Sequence, residues 1–349
     1  MKNHTLKINV LFIWKPADRL KEYLRDGLKN LVEVNLIFPE SLEQDKLNEL
    51  APKADIIIGW RPTPELLNVA TRLKLFINPG AGIKHLIDMF TEVNKGRKVT
   101  LANGHGNSYF TAQHTVALLM ALTNKVMAHH NWMVEGEWRK GDADGASVPL
   151  RDRKIGLLGY GHINRKVHRF LSGFDVDFAV CRNNWDDDND GEGLLRCARN
   201  DMGRYTPESL DAFLTEIDTL IIAVPQTPET EALIGMKELK QLGESGLIVN
   251  VARGSVVDET SLYCALKDGV IAGAALDVWY DYSPDADEDG KKYPCTQPFH
   301  TLDNVVLSPH RAASPFSDLK RWDEVVENVS RFSQGRDDFL NVVKLDRQY

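Results

Sequence analysis

The chain has 349 residues, 43% of them hydrophobic and 26% charged, with a formal net charge of −8. That balance suits a globular protein of about two domains. It argues against a nucleic-acid-binding or anionic-membrane surface, and the longest apolar segment, 115–122, is too short to cross a bilayer.

Residues 1–11 read directly as a first strand rather than a secretion signal. The cysteines Cys181, Cys197, Cys264 and Cys295 have no C-x-x-C spacing, so neither a disulfide framework nor a zinc site is expected, and reduced thiols fit a cytoplasmic compartment. Apolar runs at 8–14, 32–38, 54–60 and 73–78 predict strands, with helical spacing over 18–31 and a proline-initiated helix at 64–67. Alternating strand and helix predicts a small doubly wound parallel sheet over the first hundred residues.

The turn-rich stretch 103–107 follows, and the spacing then predicts one long helix over 111–133. Its apolar residues exceed a single stripe, so it is expected to be buried. His129 and His130 do not share a helical face, which disfavours metal ligation by that pair. From Lys154 the alternation restarts, with strands expected at 154–158, 176–181, 218–224, 247–251, 271–278 and 305–307, and helices at 162–170, 207–214, 259–267 and 319–332. The acidic stretches 186–193 and 281–292 read as solvated loops.

The segment 154–182 organises the chain: strand, Gly159-Tyr160-Gly161, helix, strand. In that setting a glycine turn lets the backbone approach a dinucleotide pyrophosphate, and the helix start supplies N–H groups and a positive dipole end. His162 and Ile163 would lie against the pyrophosphate. Asn164 stands where a third glycine is usual, so the helix is expected slightly further from the sheet. At the end of the second strand, where a carboxylate would select NAD, the chain has Arg182. A guanidinium can hold a ribose 2′-phosphate with two charge-assisted bonds, so NADP(H) is expected. NAD(H) stays open, because Asp186, Asp187 or Asp188 could serve the ribose instead.

Four further segments complete a pattern: Pro79-Gly80-Ala81-Gly82, Asn250-Val251-Ala252-Arg253-Gly254, Ala275-Leu276-Asp277-Val278 and Ser308-Pro309-His310. With the glycine turn between them, their order and spacing resemble the D-isomer-specific 2-hydroxyacid dehydrogenase family over nearly the whole chain. The resemblance implies an α/β homodimer of two Rossmann-like doubly wound domains with the active site in the cleft between them. It also implies a discontinuous, flavodoxin-like substrate domain at 1–103 plus 309–349 and a dinucleotide-binding domain at 104–308.

The residues agree with that chemistry. Reducing a 2-oxo acid puts negative charge on the carbonyl oxygen beside a carboxylate, which calls for a fixed cation and a proton donor near neutrality. Arg253, directly after an apolar strand, is placed at the sheet's carboxyl edge, where ligands bind. It would hold the carboxylate and carbonyl together. His310, at another strand end, would be the proton donor. Backbone N–H groups of Ala81 and Gly82 would hold the substrate carboxylate, small residues allowing close approach. By resemblance, Asp277 contacts the nicotinamide carboxamide, and Val224, Pro225, Thr230, Val251 and Ala252 line the cofactor.

One departure stands out. The glutamate that in the family follows the Leu-Asp-Val motif and pairs with the catalytic histidine is missing; Tyr282 or Ser283 takes its place, and Asp281 is the nearest carboxylate. Without a partner the imidazolium is less stabilised, and an acid-shifted reduction profile follows. No chemistry is attached to Gln113-His114. Trp14, Trp60, Trp279, Tyr280 and Tyr282 are core candidates, although Trp60, Trp279 and Tyr280 could wall a pocket for a larger or apolar 2-oxo acid. The expected activity is NADP-dependent, reversible reduction of a small 2-oxo acid such as glyoxylate or hydroxypyruvate. Hydride transfer from formate or phosphite, and a dinucleotide-sensing protein without turnover, are the alternatives.

Overall fold

The computed structural model describes residues 7–185 and 202–349. The chain divides into two compact units, Met1–Asn107 with Pro315–Tyr349, and Ser108–Ser314. The second crossing thus falls after Ser314, not between 308 and 309 as the sequence suggested, so His310 belongs to the second unit. The reason is local. The carboxylate of Asp277 accepts hydrogen bonds from the N–H groups of Arg311 and Ala312 and ties that segment to the second sheet.

The first unit is built from β1 (Ile8–Phe12), α1 (Asp18–Gly27), β2 (Val34–Ile37), α2 (Gln44–Leu50), β3 (Ile56–Ile58), α3 (Pro64–Val69), β4 (Leu75–Asn78), α4 (Lys84–Gly96) and β5 (Thr100–Asn103). Its five strands pair in parallel in the order β2-β1-β3-β4-β5, the flavodoxin-like arrangement. A sheet covered on both faces needs strands apolar throughout. Ile56-Ile57-Ile58 meets that demand, with Ile57 packing to one side and Ile56 and Ile58 to the other. The helix at 84–96 and the short strand at 100–103 were not foreseen.

The second unit runs through α5 (Ser108–Thr123), α6 (Val126–Val134), β6 (Lys154–Leu158), α7 (His162–Leu171), β7 (Asp177–Cys181), β8 (Gly203–Tyr205), α8 (Leu210–Glu216), β9 (Thr219–Ile222), α9 (Met236–Leu242), β10 (Leu247–Asn250), α10 (Glu259–Lys267), β11 (Gly273–Leu276) and β12 (Val305–Leu307). Seven parallel strands lie in the order β12-β11-β10-β9-β6-β7-β8. The winding reverses between β6 and β9, and such a switch point is where an open α/β sheet binds its ligand. One face is covered by α5 and α7, the other by α8, α9 and α10.

The single helix expected over 111–133 is two. Asn124 donates from its side-chain amide to the Met120 carbonyl at 3.1 Å, and Thr123 from its hydroxyl to the Leu119 carbonyl at 2.9 Å. Side chains competing for helix carbonyls favour an ending, and Lys125 then turns into the left-handed region at φ 49°.

After the second unit the chain returns to the first. Trp322 and the helix α11 (Asp323–Ser333) add Val325 and Val329 to the face formed by Val10, Phe12, Ile56 and Ile77. The tail then pairs with β5, Asn103 N–H to the Asn341 carbonyl at 3.0 Å and Val343 N–H to the Leu101 carbonyl at 2.9 Å.

Candidate functional site

The predicted residues of the second unit gather at the carboxyl ends of its strands: the glycine turn after β6, Arg182 after β7, Val224 after β9, Arg253 after β10, Asp277 after β11 and His310 after β12. In a parallel sheet all these ends share one edge.

Gly159 has φ +82°, and a Cβ there would stand 2.7 Å from the Ala223 carbonyl oxygen and 2.9 Å from a Val224 methyl. Only glycine lets β6 and the end of β9 come that close. A Cβ on Gly161 would meet nothing within 4 Å, and no side chain caps the start of α7. The turn thus has open space above a helix N-terminus, which fits a pyrophosphate. Asn164 is fully buried and donates from its amide to the Gly159 carbonyl at 2.7 Å and the Leu158 carbonyl at 3.2 Å. Where close glycine packing would join helix to strand, an amide ties α7 to the end of β6.

Beneath the turn lies a pair that sequence reasoning missed. Tyr160 Oη and His168 Nδ1 are 2.6 Å apart, and His168 is 2% exposed. Burial pushes the His168 imidazole down to about 4, so it is neutral at ordinary pH.

At the end of β7 the Arg182 guanidinium lies 5.5 Å from the Trp185 ring centre, and the Arg204 guanidinium of β8 lies 5.1 Å from the same ring. Asp186, Asp187 and Asp188 lie outside the described residues. The hydroxyl of Thr230 donates to the Pro225 carbonyl at 2.7 Å, fixing the turn that carries Val224 and Pro225. Val251 and Ala252 are buried at the end of β10.

Arg253 owes its place to its neighbours. A Cβ on Gly254 would fall 2.3 Å from the Trp279 carbonyl oxygen, so this glycine permits the loop after β10 to lie against the chain leaving β11. Asn250 donates to the Arg253 carbonyl and accepts from the Ala252 N–H, both at 3.0 Å. The half-buried guanidinium donates to the Ala252 carbonyl at 2.6 Å.

Asp277 is 1% exposed and accepts from the Ser308 hydroxyl, from Arg311 N–H at 2.7 Å and from Ala312 N–H at 3.0 Å. Burial opposes ionisation, but His114 and these three donors hold its carboxyl below the usual carboxylate range. His114 of α5, to which the sequence assigned nothing, places Nε2 3.0 Å from the Ser308 hydroxyl and 3.5 Å from the Asp277 carboxylate. A link across nearly two hundred residues carries no spacing signal in the sequence. Much of Asp277's hydrogen-bonding capacity is therefore spent on holding the loop that bears His310.

His310 sits in that loop at φ 54°, its N–H on the Ser308 carbonyl at 3.0 Å. Its ring centre is 5.2 Å from that of Tyr282, whose hydroxyl accepts from the Trp279 N–H at 3.3 Å. Tyr282 occupies the neighbourhood of the missing glutamate. Asp281 is instead turned to its own loop, accepting from Ser283 N–H at 2.8 Å. Among the described residues no carboxylate is within ion-pair distance of the His310 ring. Crowding by protein atoms pushes the His310 imidazole below its ordinary range; Asp277 pulls upward and Arg253 adds to the lowering.

Trp279 and Tyr280 are core residues, as expected, and Trp279 also lines a cavity beside Ser308 and Pro309. Trp279 is 7% exposed, with its indole N–H on the Ser308 carbonyl at 2.8 Å, and the Tyr280 hydroxyl donates to the Val257 carbonyl at 3.0 Å. Trp60, in the first unit, stays partly exposed beside Trp14 and Trp322.

The loop after β4 in the first unit is held by its carbonyls. Asn78, fully buried, donates to the Gly80 and Gly82 carbonyls, and Asn103 donates to the Ala81 carbonyl at 3.0 Å. Among the described residues, no bond within the chain engages the N–H groups of Ala81 and Gly82. Both remain available to an anion.

Residues 116–312 match the model of the D-isomer specific 2-hydroxyacid dehydrogenase NAD binding domain. The chain belongs to the D-isomer-specific 2-hydroxyacid dehydrogenase family. Its second unit carries that family's nicotinamide-dinucleotide-binding domain. The chain is 31% identical to a glyoxylate reductase of Pyrococcus furiosus over 84% of each sequence. It is 29% identical to a D-3-phosphoglycerate dehydrogenase of Archaeoglobus fulgidus over 84% of this chain, but spans about half (51%) of that relative's length. Among solved structures it is similar to a family member from Xanthobacter autotrophicus in complex with NADPH and MES, with a TM-score of 0.76 at 23% identity, covering 98% of this chain and all of the other. A NADPH-dependent glyoxylate/hydroxypyruvate reductase from Sinorhizobium meliloti, in complex with NADP and malonate, gives a TM-score of 0.69 at 25% identity over 98% of each chain.

Proposed function

We propose that the protein is an NADP(H)-dependent reductase of a small 2-oxo acid, working reversibly as a D-2-hydroxyacid dehydrogenase, with glyoxylate and hydroxypyruvate as candidate substrates. The observation that carries this reading is the placement of Arg253 and His310 at the carboxyl ends of β10 and β12 of the nicotinamide-binding sheet, close enough for the guanidinium to bear on the imidazole's charge. The nicotinamide, when bound, supplies or accepts the hydride. Arg253 then holds the substrate carboxylate and stabilises the charge developing on the carbonyl oxygen. His310 gives that oxygen its proton. Asp277 keeps the His310 loop in place, and the unengaged N–H groups of Ala81 and Gly82 suit a carboxylate.

NADP(H) over NAD(H) is supported by the two guanidinium groups, Arg182 and Arg204, around Trp185. Arg182→Ala is expected to raise KM for NADPH by about tenfold or more and to leave KM for NADH little changed. A homodimer is supported by the apolar residues that α6 and the chain after it leave outside: Met133 is 56%, Val134 72% and Trp138 76% exposed. A monomer by light scattering at micromolar concentration would overturn that assignment.

The deciding experiment follows nicotinamide absorbance with NADPH and a panel of 2-oxo acids, and with NADP⁺ and formate or phosphite. Turnover of a 2-oxo acid, lost in Arg253→Gln, supports the reductase. Oxidation of formate or phosphite with NADP would replace the substrate class. The missing glutamate partner of His310 favours one further reading, a dinucleotide sensor, which NADPH binding without turnover of any panel member would establish.

A further inference from the structure

At the amino ends of β3, β4 and β5 in the first unit, a depression of about 310 Å³ is lined by Asp55, Thr71, Arg72, Lys74, Arg97 and Lys98, with Leu73 beneath. Four cations face one carboxylate there, in a chain whose net charge is −8. The loops bring them together. Arg72 and Lys74 lie on the connection into β4, Arg97 and Lys98 on the connection from α4 into β5, and Asp55 directly before β3.

The charges are not cancelled locally. Asp55 is shared: its carboxylate accepts from Arg72 at 2.8 Å and from the Asn9 N–H at 2.9 Å. Arg97 spends its guanidinium on neutral carbonyls, those of Ala70 (2.7 Å) and Leu67 at the end of α3, so its charge stays unopposed. Lys74 and Lys98 are exposed, and among the described residues neither ammonium has a hydrogen-bond or ion-pair partner. Like charges gathered without carboxylates repel one another, and a multivalent anion relieves that repulsion. The lining holds no aromatic ring to stack a base, and Leu73 is only 2% exposed. Recognition must therefore rest on charge, while the volume is at the lower end of small-ligand sites.

We propose that this depression is a binding site for a small phosphate-bearing anion without a nucleobase, either inorganic polyphosphate or a short phosphorylated metabolite. The test is calorimetric titration of the whole protein with pyrophosphate, inorganic phosphate, glycerol phosphate and citrate, in excess NADP⁺ so that the glycine turn after β6 is filled. Saturable binding is expected, tighter for pyrophosphate than for phosphate, weakening steeply with salt. In the Lys74→Glu/Lys98→Glu variant it should fall by at least about tenfold, with NADPH affinity unchanged. Should that variant melt early, Lys98→Gln serves, with a smaller loss expected. Tighter binding of pyrophosphate than of glycerol phosphate assigns the site to inorganic polyphosphate, and the reverse to a phosphorylated metabolite. The absence of saturable binding, equal affinity in the variant, or citrate binding as tightly as pyrophosphate would each overturn the proposal, whether or not the protein reduces a 2-oxo acid.

Discussion

Two histidines of the nicotinamide-binding unit are placed in opposite surroundings. His168 is sealed under the glycine turn between Tyr160 and the Phe178 ring, whose centre is 4.1 Å away, and desolvation is the sole cause of its lowered pKa. His310 lies in an exposed loop with φ 54°; desolvation lowers it too, but Asp277 pulls its charge upward and Arg253 opposes it. One ring is a neutral packing element whose protonation would disrupt its surroundings. The other has neighbours that can tune it and access to solvent. The difference teaches that position relative to the strand ends decides whether an imidazole is available for chemistry.

The hardest test of that contrast is His310→Gln against His168→Gln. Loss of the proton donor should lower kcat for 2-oxo acid reduction by about 10²–10⁴-fold with NADPH affinity retained, whereas His168→Gln should act on stability. Equal kcat losses in the two variants would erase the distinction. Asp277→Asn comes next. A carboxylate taking two backbone N–H bonds in the interior is replaced by a group that turns a donor on one of them, at a cost of about 1–3 kcal/mol in thermal or urea unfolding. It also removes the upward pull on His310, so the reduction limb should move further to acid. A variant with unchanged stability and limb would show that Asp277 does not hold that loop.

His168 gives a stability prediction of similar size. Its folded value of about 4 lies below its ordinary 6.5, so the neutral form is favoured by folding. That contribution is complete above about pH 6.5 and is lost as pH falls toward about 4, on the order of 3 kcal/mol. Urea unfolding of the wild type should show this acid-side decline, and His168→Phe should lack most of it. The smallest effect belongs to Tyr282. With His310 lowered, reduction should fade as pH rises through a value below the ordinary histidine range. Tyr282→Glu should move that limb upward by about one unit, and Tyr282→Phe should leave it nearly in place. A limb unmoved by Tyr282→Glu would mean that residue 282 does not reach the imidazole in solution.

Much of this was legible in the chain. Buried parallel strands such as 56–58 and 247–249 are apolar throughout, and the residues flanking their carboxyl ends stand out because glycine, arginine and histidine interrupt the pattern. What stayed hidden depends on partners distant in sequence. Nothing near His114 announces Ser308, and Tyr160 and His168, although only eight residues apart, form a pair only once the turn and α7 are in place. The expected boundary at 308/309 missed because Asp277 bonds forward across the crossing. The core placement of Trp279 and Tyr280 was legible; the interior carbonyls that their polar atoms find were not, because alternation alone does not show them.

The return of Trp322 and α11 to the first sheet has a consequence for biosynthesis. The second unit is one uninterrupted stretch, Ser108–Ser314, and has all its strands once that stretch has emerged from the ribosome. The first unit begins earlier yet stays open along the face that Val325 and Val329 will cover. The portion translated first is therefore finished last, and part of its apolar sheet surface stays uncovered until the segment bearing Val325 and Val329 arrives.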